Sequence, residues 1–334
     1  MTNQLNPKQL AQNIIDGRRL GRGEDLSSLL TCDLEELRLG ADMLRRHFYG
    51  NHVDLCTIIN GRSGRCSEDC AYCAQSAKHH TGIAEYESLS SEEILTNAQL
   101  NEREGVHRFA IVTSGRSLCG QSFDEIIATF KTLRDNCSFG LCASHGFLSA
   151  KQFSQLVEAG VTSYHHNIET SRRFFPQICS THTYEDKMRT IRLAQQAGLC
   201  VCSGGIIGLG ETWEDRLDMA LSLAELGIKS IPINALMAIP GTQLEKQSPL
   251  PAADILRTIA FFRYINPEAN IRLAAGRKLL PENGATAFLG GASASITGNM
   301  LTTSGTTIRE DMVLLKKLGF DTVLSSPSCS VNNS

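Results

Sequence analysis

The feature that most constrains the fold is an eightfold alternation of short β-rich runs with longer helical patterns. Eight such units without a linker between them predict a parallel barrel that is closed or nearly closed. Helix ends are marked as well, since Glu93 follows Ser90 by three residues at one helix start and Gly198 ends another helix. The predicted strands are Val53–Asn60, His107–Thr113, Phe139–Ala143, Thr162–Asn167, Leu199–Ser203, Lys229–Asn234, Asn270–Ala274 and Ala292–Ile296.

The predicted fold class is therefore α/β, a TIM-type (β/α)8 barrel with a short N-terminal helical extension. Residues 1–50 carry a helical pattern at Leu34–Phe48 and are interpreted as an N-terminal helical cap. Residues 51–320 would form the barrel, and the small polar residues of 321–334 a C-terminal tail that frays. Active sites of such barrels lie at the carboxyl ends of the strands, in the loops that follow them.

Composition excludes several classes of protein. Apolar residues make up 42% and charged residues 20%, which is typical of a globular chain, and a net charge of −3 argues against a nucleic-acid partner. No apolar stretch is long enough to span a membrane, and no signal-peptide pattern begins the chain, so we expect a cytoplasmic protein without a membrane partner. Twelve cysteines in such a chain indicate metal or redox chemistry rather than disulfides.

The loop after the first predicted strand contains Cys66, Cys70 and Cys73, in the spacing C-x3-C-x2-C. Zinc sites usually take four ligands from two separated pairs, and the chain has no second C-x2-C pair. Three thiolates on one loop instead suit a [4Fe–4S] cluster whose fourth iron stays open to a chelating ligand. Three unrelated thiols are the alternative, which is disfavoured because exposed free thiols are liabilities.

This loop, with Tyr72 before its last cysteine, resembles the signature of the radical S-adenosylmethionine (radical SAM) enzymes. The chain further resembles the biotin synthase family from about residue 40 to residue 320. The resemblance implies a radical SAM barrel, a [4Fe–4S] cluster on the three cysteines, and S-adenosylmethionine as the ligand of the open iron. The segments that carry it are Ser63–Ser76, Tyr164–Ser171, Cys202–Glu211, Ser230–Asn234 and Ile271–Arg277.

Four further side chains lie on alternate predicted strands, which contribute to one layer of a barrel interior. They are Cys56 on strand one, Cys142 on strand three, Cys202 on strand five and Arg272 on strand seven. Three thiols and an arginine make a poor apolar core and a suitable cage for a second iron–sulfur cluster. Ordinary burial is the alternative, since cysteine packs like a small hydrophobe, and we expect Cys200, one layer deeper, to be such a core residue.

The resemblance implies an auxiliary [2Fe–2S] cluster held by three cysteines and one arginine. Cys142, Cys202 and Arg272 match three of these positions, but the fourth falls on Ala110, which cannot bind iron. We expect Cys56 to take over, with the cluster either [2Fe–2S] or a four-iron variant with an additional sulfide. In either form it would donate sulfur.

The segment 164–170 resembles the family motif that contacts S-adenosylmethionine and dethiobiotin. The resemblance implies that Asn167 contacts both, that Glu169 binds the ribose hydroxyls, and that the amide of Asn234 contacts the ureido ring. His165 stands where the family has asparagine, which leaves its role open. The alternative for these polar groups is capping of a strand end.

Other predicted cofactor contacts are less specific. By resemblance, Tyr72 and the backbone at Gly205 and Ile207 lie against S-adenosylmethionine. Arg116 either pairs with the methionine carboxylate or faces solvent. The thiols that match no ligand position of the family, and that we expect to be structural or incidental, are Cys32, Cys119, Cys137, Cys179 and Cys329.

The resemblance implies a radical SAM enzyme that inserts sulfur into dethiobiotin to form biotin. It also implies a flavodoxin- or ferredoxin-type electron donor and a homodimer. Two alternatives stay open: a related radical SAM enzyme, such as a hydrogenase maturase or a methylornithine-type mutase, and a noncatalytic iron–sulfur carrier. The layer of thiols inside the barrel distinguishes a sulfur-inserting enzyme from the related radical SAM enzymes, because a mutase needs no sulfur donor there. A carrier would not need Asn167, Glu169 and Asn234 around a barrel mouth.

Overall fold

Parallel strands close into a barrel in the computed structural model, which describes residues 6–302 and 305–322. The sheet order is β5-β4-β3-β2-β1-β9-β8-β7-β6, and a further pairing of β5 with β7 completes the circle. All eight predicted strands are confirmed, and the barrel class with them. The strands of the described residues are β1 Asp54–Arg62, β2 Arg108–Thr113, β3 Gly140–Ser144, β4 Val161–His165, β5 Cys200–Cys202, β6 Gly205–Ile207, β7 Ser230–Ala235, β8 Asn270–Leu273 and β9 Ala294–Ile296.

The additional strand arises because the fifth barrel position is divided in two. β5 pairs with β4 and reaches β7 only at Cys202, after which β6 continues the pairing with β7 from Gly205 onward. A Cβ atom at Gly204 would lie 2.0 Å from the Pro232 carbonyl oxygen, and one at Gly205 would lie 2.2 Å from that of Glu169. Only glycine allows these close backbone contacts, so the sequence at this break is part of how the barrel closes.

Helices cover the outside of the barrel, and several begin with the reciprocal serine- or threonine-based caps that their sequences predict. Ser90 accepts from the backbone of Glu93, whose carboxylate accepts in return, as expected. Between strands, or after the last one, lie α4 Ser91–Arg103, α5 Gly120–Asn136, α6 Ala150–Glu158, α7 Tyr184–Gln196, α8 Trp213–Glu225, α9 Ala252–Ile265, α10 Ala285–Phe288 and α11 Ile308–Lys317, preceded in the chain by α1 Pro7–Ile15, α2 Ser27–Thr31 and α3 Leu34–Tyr49.

The segment before β1 is helical, as predicted, and it packs against α9. The Tyr264 hydroxyl donates to the Pro7 carbonyl oxygen over 3.0 Å, and it occupies the space that a Cβ atom at Gly40 would need. Of the predicted C-terminal tail, Asp321 forms a bridge with His52 ahead of β1, whereas residues 323–334 lie outside the described residues.

Strand alternation separates an apolar layer outside the sheet from a polar interior. On β2, Phe109 and Ile111 are fully buried against the helices, while Arg108, Ala110 and Val112 face the inside of the barrel. The core of the molecule is therefore the shell between strands and helices, and the interior is free to hold a site. No helix in the described part of the chain is long and apolar enough to cross a membrane.

Candidate active site

A cavity of about 430 Å³ occupies the barrel interior and continues into the loops at the carboxyl ends of the strands. The three-cysteine loop lies at its mouth and the predicted thiol layer at its base. The structure thus places around one space eleven of the thirteen predicted site residues, namely Cys56, Cys66, Cys70, Tyr72, Cys73, Cys142, Asn167, Glu169, Cys202, Asn234 and Arg272.

The three-cysteine loop is held at the mouth by hydrogen bonds that close it on itself. The Cys66 amide donates to the Gln75 carbonyl over 3.0 Å, and the Cys73 amide donates to the Cys70 carbonyl over 2.9 Å. Gly64 takes a left-handed conformation (φ 79°) just before the loop, which sets its direction. All three cysteine side chains line the cavity, so their thiols can share one cluster from one side.

At the base of the cavity, Cys56 and Cys142 pack together with Ala110 in a small cluster separate from the main core. Ala110 lies in register with Cys142, so the methyl group stands where the family resemblance calls for a fourth ligand. Burial raises the pKa of Cys56 to about 11. Burial alone would also raise the pKa of Cys202, but the hydrogen bond with His165, its register partner on β4, outweighs it and the pKa is lowered.

Arg272 reaches the same cavity, but its guanidinium is already engaged. Its Nη2 donates to Asp54 Oδ1 over 2.6 Å, its Nη1 to the Ser295 carbonyl over 3.1 Å, and its Nε to Ser230 Oγ over 3.4 Å. Burial alone would lower the pKa of Arg272, but the charge of Asp54 outweighs it and raises the pKa. Because a protonated guanidinium has no lone pair for iron, this arrangement favours a cation beside the thiols over a ligand.

Asp54, Arg108 and Arg272 form a group of largely buried ion pairs at the bottom of the cavity, which we call the ionic base. Sequence reasoning did not identify Asp54 or Arg108. Arg108 Nε donates to the second oxygen of Asp54 over 3.0 Å. Burial alone would raise the pKa of Asp54, but Arg272 and Arg108 lower it to about 2. The carboxylate therefore stays ionised between two arginines. The available signal in the sequence was a charged residue within each of two predicted strands, Asp54 in the first and Arg108 in the second.

The motif after β4 forms a hydrogen-bonded group around Glu169. Its backbone is left-handed (φ 70°), which is unusual for a residue other than glycine. Asn167 Nδ2 donates to Glu169 Oε2 over 3.3 Å, and Asn167 Oδ1 accepts from the Gly204 amide over 3.0 Å. Lys187 Nζ lies 3.6 Å from Glu169 Oε1, and burial next to this carboxylate raises the pKa of the Tyr72 hydroxyl.

Lys187 is a further residue that sequence reasoning missed. It is buried on α7 and lies over the Phe147 ring, facing the cavity. The available signal was its helical spacing, since Lys187 shares the inward face of α7 with Thr190, Ile191 and Ala194. A buried ammonium beside a carboxylate at a cavity wall provides a charged contact for a ligand with a carboxylate of its own.

Asn234 is positioned by backbone on both sides of its amide. Its Nδ2 donates to the Gly205 carbonyl over 3.0 Å, and its Oδ1 accepts from the Ala275 amide over 3.2 Å. A side-chain amide has a second N–H and a second lone pair. Asn234 therefore enters the cavity in a fixed orientation, with donor and acceptor capacity remaining.

The predicted backbone contacts of Gly205 and Ile207 with S-adenosylmethionine stay predictions. The Ile207 side chain is fully buried in the core, and strand alternation turns the side chain of Ile206 to the cavity. Gly205 packs against the Glu169 carbonyl and is not among the residues that line the cavity. Arg116 is exposed, as the second of its two alternatives expects, and it also donates to Glu68 over 3.0 Å. Cys200 lines the cavity and is only half-buried, so the expectation that it belongs to the core was wrong.

Cys179 was expected to be incidental, yet it lies beside the three-cysteine loop. Its Sγ is 3.9 Å from Cys70 Sγ and 3.3 Å from His182 Nδ1. The hydrogen bond from Cys70 is the main reason that the pKa of Cys179 is lowered, to about 4. No local pattern predicts this contact, because the two cysteines are 109 positions apart in the chain.

Comparisons with known proteins agree with this site. Residues 62–223 match the radical SAM superfamily, and residues 232–321 match the biotin and thiamin synthesis associated domain. With its parallel barrel and three-cysteine loop, the chain is a radical SAM enzyme, a class that implies a [4Fe–4S] cluster and S-adenosylmethionine.

The particular family follows from its relatives. A biotin synthase of Clostridium beijerinckii is 56% identical over 313 residues, which cover 94% of this chain and 99% of the relative. A biotin synthase of Akkermansia muciniphila is 50% identical over 312 residues, covering 93% and 97%. The chain belongs to the biotin synthase family.

Two solved structures share the fold. Methylornithine synthase matches with a TM-score of 0.82 at 18% identity, covering 94% of this chain and 97% of the other. A maturase of the [FeFe]-hydrogenase also matches with a TM-score of 0.82, at 19% identity, covering 96% and 76%. At these identities the likeness concerns the barrel and carries no information about substrate.

Proposed function

We propose that this member of the biotin synthase family converts dethiobiotin to biotin with sulfur taken from an auxiliary iron–sulfur cluster inside the barrel. The observation that carries the proposal is the pair of thiol sets at opposite ends of one cavity. Cys66, Cys70 and Cys73 lie at the mouth, and Cys56, Cys142 and Cys202 face the base. Thiolates are the ligands that iron–sulfur clusters require, so both sets have the right chemistry.

When bound, the [4Fe–4S] cluster and S-adenosylmethionine supply a 5′-deoxyadenosyl radical, and the auxiliary cluster supplies sulfide. The protein's part is to hold, orient and shield these groups. The first thiol set would hold the [4Fe–4S] cluster. Cys56, Cys142 and Cys202 would hold the auxiliary cluster, with Arg272 beside it balancing the negative charge of thiolates and sulfide. That cluster would contain two irons, or four with an additional sulfide.

The residues between the two thiol sets fit the substrate and S-adenosylmethionine. Asn167 and Asn234 offer neutral amides, which suit the neutral ureido ring of dethiobiotin because no charge is left unpaired. Glu169 offers a carboxylate to ribose hydroxyls. His166 also lines the cavity, and its Nε2 is buried without a hydrogen-bond partner among the described residues. Such a group is expected where a ligand completes the site.

The alternatives are less well supported. A maturase or a methylornithine-type mutase shares the barrel at 18–19% identity, whereas biotin synthases are 48–56% identical over most of the chain. A noncatalytic iron–sulfur carrier does not account for Asn167, Glu169 and Asn234 around one cavity. The family resemblance extends the proposal to a flavodoxin- or ferredoxin-type electron donor, a homodimer and a cytoplasmic location. It also supports the proposed division of the chain into an N-terminal helical cap (residues 1–50), the barrel (51–320) and a C-terminal tail (321–334).

The direct test is biotin formation from dethiobiotin by anaerobically reconstituted protein with S-adenosylmethionine and a reductant. Iron and sulfide quantitation with Mössbauer spectroscopy on the same sample counts the clusters. We expect biotin, and iron beyond the four atoms of one [4Fe–4S] cluster. Cleavage of S-adenosylmethionine without biotin, in protein that contains only one cluster, would favour the mutase alternative.

A further inference from the structure

Cys70, Cys179 and His182 form a compact group of metal-binding side chains beside the three-cysteine loop. Their ligand atoms all lie within 4.8 Å of one another. Cys179 and His182 are buried, and Cys70 is half-buried and also lines the cavity. Two thiols and one imidazole are a typical donor set for zinc, and the sulfur-inserting reaction uses only Cys70 of the three.

Two of the three distances between the ligand atoms match the edges of a tetrahedron around one ion. With zinc–sulfur bonds of about 2.3 Å and zinc–nitrogen bonds of about 2.0–2.1 Å, two sulfurs stand about 3.8 Å apart and a sulfur and a nitrogen about 3.6 Å. The two thiol sulfurs are 3.9 Å apart, and Cys179 Sγ is 3.7 Å from His182 Nε2. The protein thus holds both pairs of ligand atoms at the separation that a bound zinc ion requires. A small ion could therefore bind with little rearrangement of these side chains.

The environment of His182 also selects one nitrogen as the ligand. Its Nδ1 lies 2.5 Å from Glu68 Oε2, and a carboxylate can only accept, so the proton is on Nδ1 and Nε2 keeps its lone pair. Glu68 is in turn held by Arg116 over 3.0 Å and by Thr181 Oγ1 over 2.9 Å. A carboxylate behind a histidine is the usual support of a zinc ligand, because it fixes the tautomer and the ring orientation.

Asp69, although near, is occupied elsewhere. Its Oδ1 is 3.2 Å from Cys179 Sγ, but the same carboxylate accepts from the amides of Ser180 over 3.0 Å and Thr181 over 3.2 Å. Asp69 therefore fixes the Cys179 loop against the three-cysteine loop and is not counted among the ligands.

We propose that the iron-free chain binds one zinc-type divalent ion through Cys70, Cys179 and His182 Nε2, and that this ion competes with the [4Fe–4S] cluster for Cys70. The thiolate of Cys70 cannot serve a mononuclear site and the radical SAM cluster in the same geometry. Loading of the ion therefore excludes the cluster, and assembly of the cluster removes one ligand of the ion. The inference depends on the superfamily's cluster ligand and is independent of the substrate.

The test uses the full-length, iron-free chain under anaerobic conditions, with Co²⁺ as a spectroscopic substitute for Zn²⁺. We expect one equivalent of Co²⁺ to give an intense thiolate-to-cobalt charge-transfer band. Cys179→Ala should abolish the band, while Cys66→Ala should retain it. Circular dichroism shows that each variant is folded. Glu68→Gln should weaken Co²⁺ binding about 10- to 100-fold, because it disturbs the support of His182.

The matched cysteine variants also define the result that would overturn the proposal. A band that persists in Cys179→Ala and disappears in Cys66→Ala would place the ion on the three-cysteine loop alone. A second readout is cluster assembly: one equivalent of Zn²⁺ should block reconstitution with iron and sulfide in the unmodified chain but not in Cys179→Ala. Equal inhibition in both would contradict the competition. Neither measurement involves dethiobiotin, so failure of the proposed sulfur insertion leaves this result intact.

Discussion

Ala110 and Cys56 show, at the scale of single residues, how the base of the cavity departs from the family pattern. Ala110 stands in register with Cys142 on one side and Ile58 on the other, so its methyl group faces the position of the missing ligand. Cys56 packs against both Ala110 and Cys142. We therefore propose that this thiol, one strand away, takes the place of the side chain that alanine lacks.

Cys56→Ser tests this substitution directly. Serine keeps the size of the side chain but is a poor iron ligand, so we expect lower iron content and loss of biotin formation. Iron analysis and product quantitation on anaerobically reconstituted protein provide the measurement. If Cys56 is only a core residue, the variant will keep its iron and its turnover and lose a modest amount of stability, which would point to another ligand.

Asn234→Ala tests recognition of the ureido ring. Removing the amide leaves a polar group of dethiobiotin without a partner, which should weaken substrate binding by about 1–3 kcal/mol. The measurement is dethiobiotin affinity, with binding of S-adenosylmethionine as the control. Unchanged affinity in both Asn234→Ala and Asn167→Ala would count against dethiobiotin as the substrate.

At the scale of elements, Asp54 connects three strands of the barrel. It lies on β1, accepts from Arg108 on β2, and accepts from Arg272 on β8. Two arginines inside the barrel depend on this one carboxylate for their charge balance. The ionic base therefore fixes the strands that carry Cys56 and Arg272, and it helps to place the second thiol set.

Asp54→Asn should destabilise the fold by about 3–5 kcal/mol near neutral pH, since it leaves buried positive charge uncompensated. The pKa of Asp54 is about 2 in the folded chain and 3.8 in its ordinary state, so its contribution is complete above about pH 4. It is lost as the pH falls through 4 toward 2. Urea unfolding at several pH values should show that the difference in unfolding free energy between the unmodified chain and the variant narrows in that range, by about 2.5 kcal/mol.

The matched control is Glu268→Gln, because Glu268 forms exposed ion pairs with Arg19 and Lys229. Exposed pairs contribute at most about 1 kcal/mol, so this variant should unfold almost like the unmodified chain. A loss as small for Asp54→Asn as for the control would contradict the role of the ionic base.

At the scale of the whole molecule, the barrel separates two thiol sets and holds the substrate-sized space between them. One set belongs to a loop closed by its own hydrogen bonds, and the other to strands inside the barrel. The two sets share no residue and no supporting element except β1, which carries Cys56 and leads into the loop. Loss of one set should therefore leave the other intact.

This separation predicts different losses for Cys66→Ala and Cys142→Ala. The first should abolish reductive cleavage of S-adenosylmethionine, because the open-iron cluster loses a ligand. The second should still form 5′-deoxyadenosine but no biotin, because the substrate radical finds no sulfide. Chromatographic assay of both products checks this, and full 5′-deoxyadenosine production by Cys66→Ala would refute the cluster assignment.

The sequence alone determined the fold class, the eight predicted strands and the cluster loop. Strand and helix periodicity are local properties, and the three cysteines lie within eight residues, so short-range pattern was sufficient. The alternation of side-chain direction along each strand also indicated which residues face inward. For this reason the sequence analysis assigned Cys56, Cys142 and Cys202 to one layer of the barrel interior.

Only the tertiary structure decided which side chains distant in the chain come into contact. The break between β5 and β6, the pairing of Asp54 with Arg272 and the contact of Cys70 with Cys179 all depend on how strands and loops meet across the closed barrel. Sequence pattern records the direction of a side chain but not its neighbour across the sheet. Closure of the barrel supplies that neighbour, since the partner of each inward-facing residue is set by the register between strands.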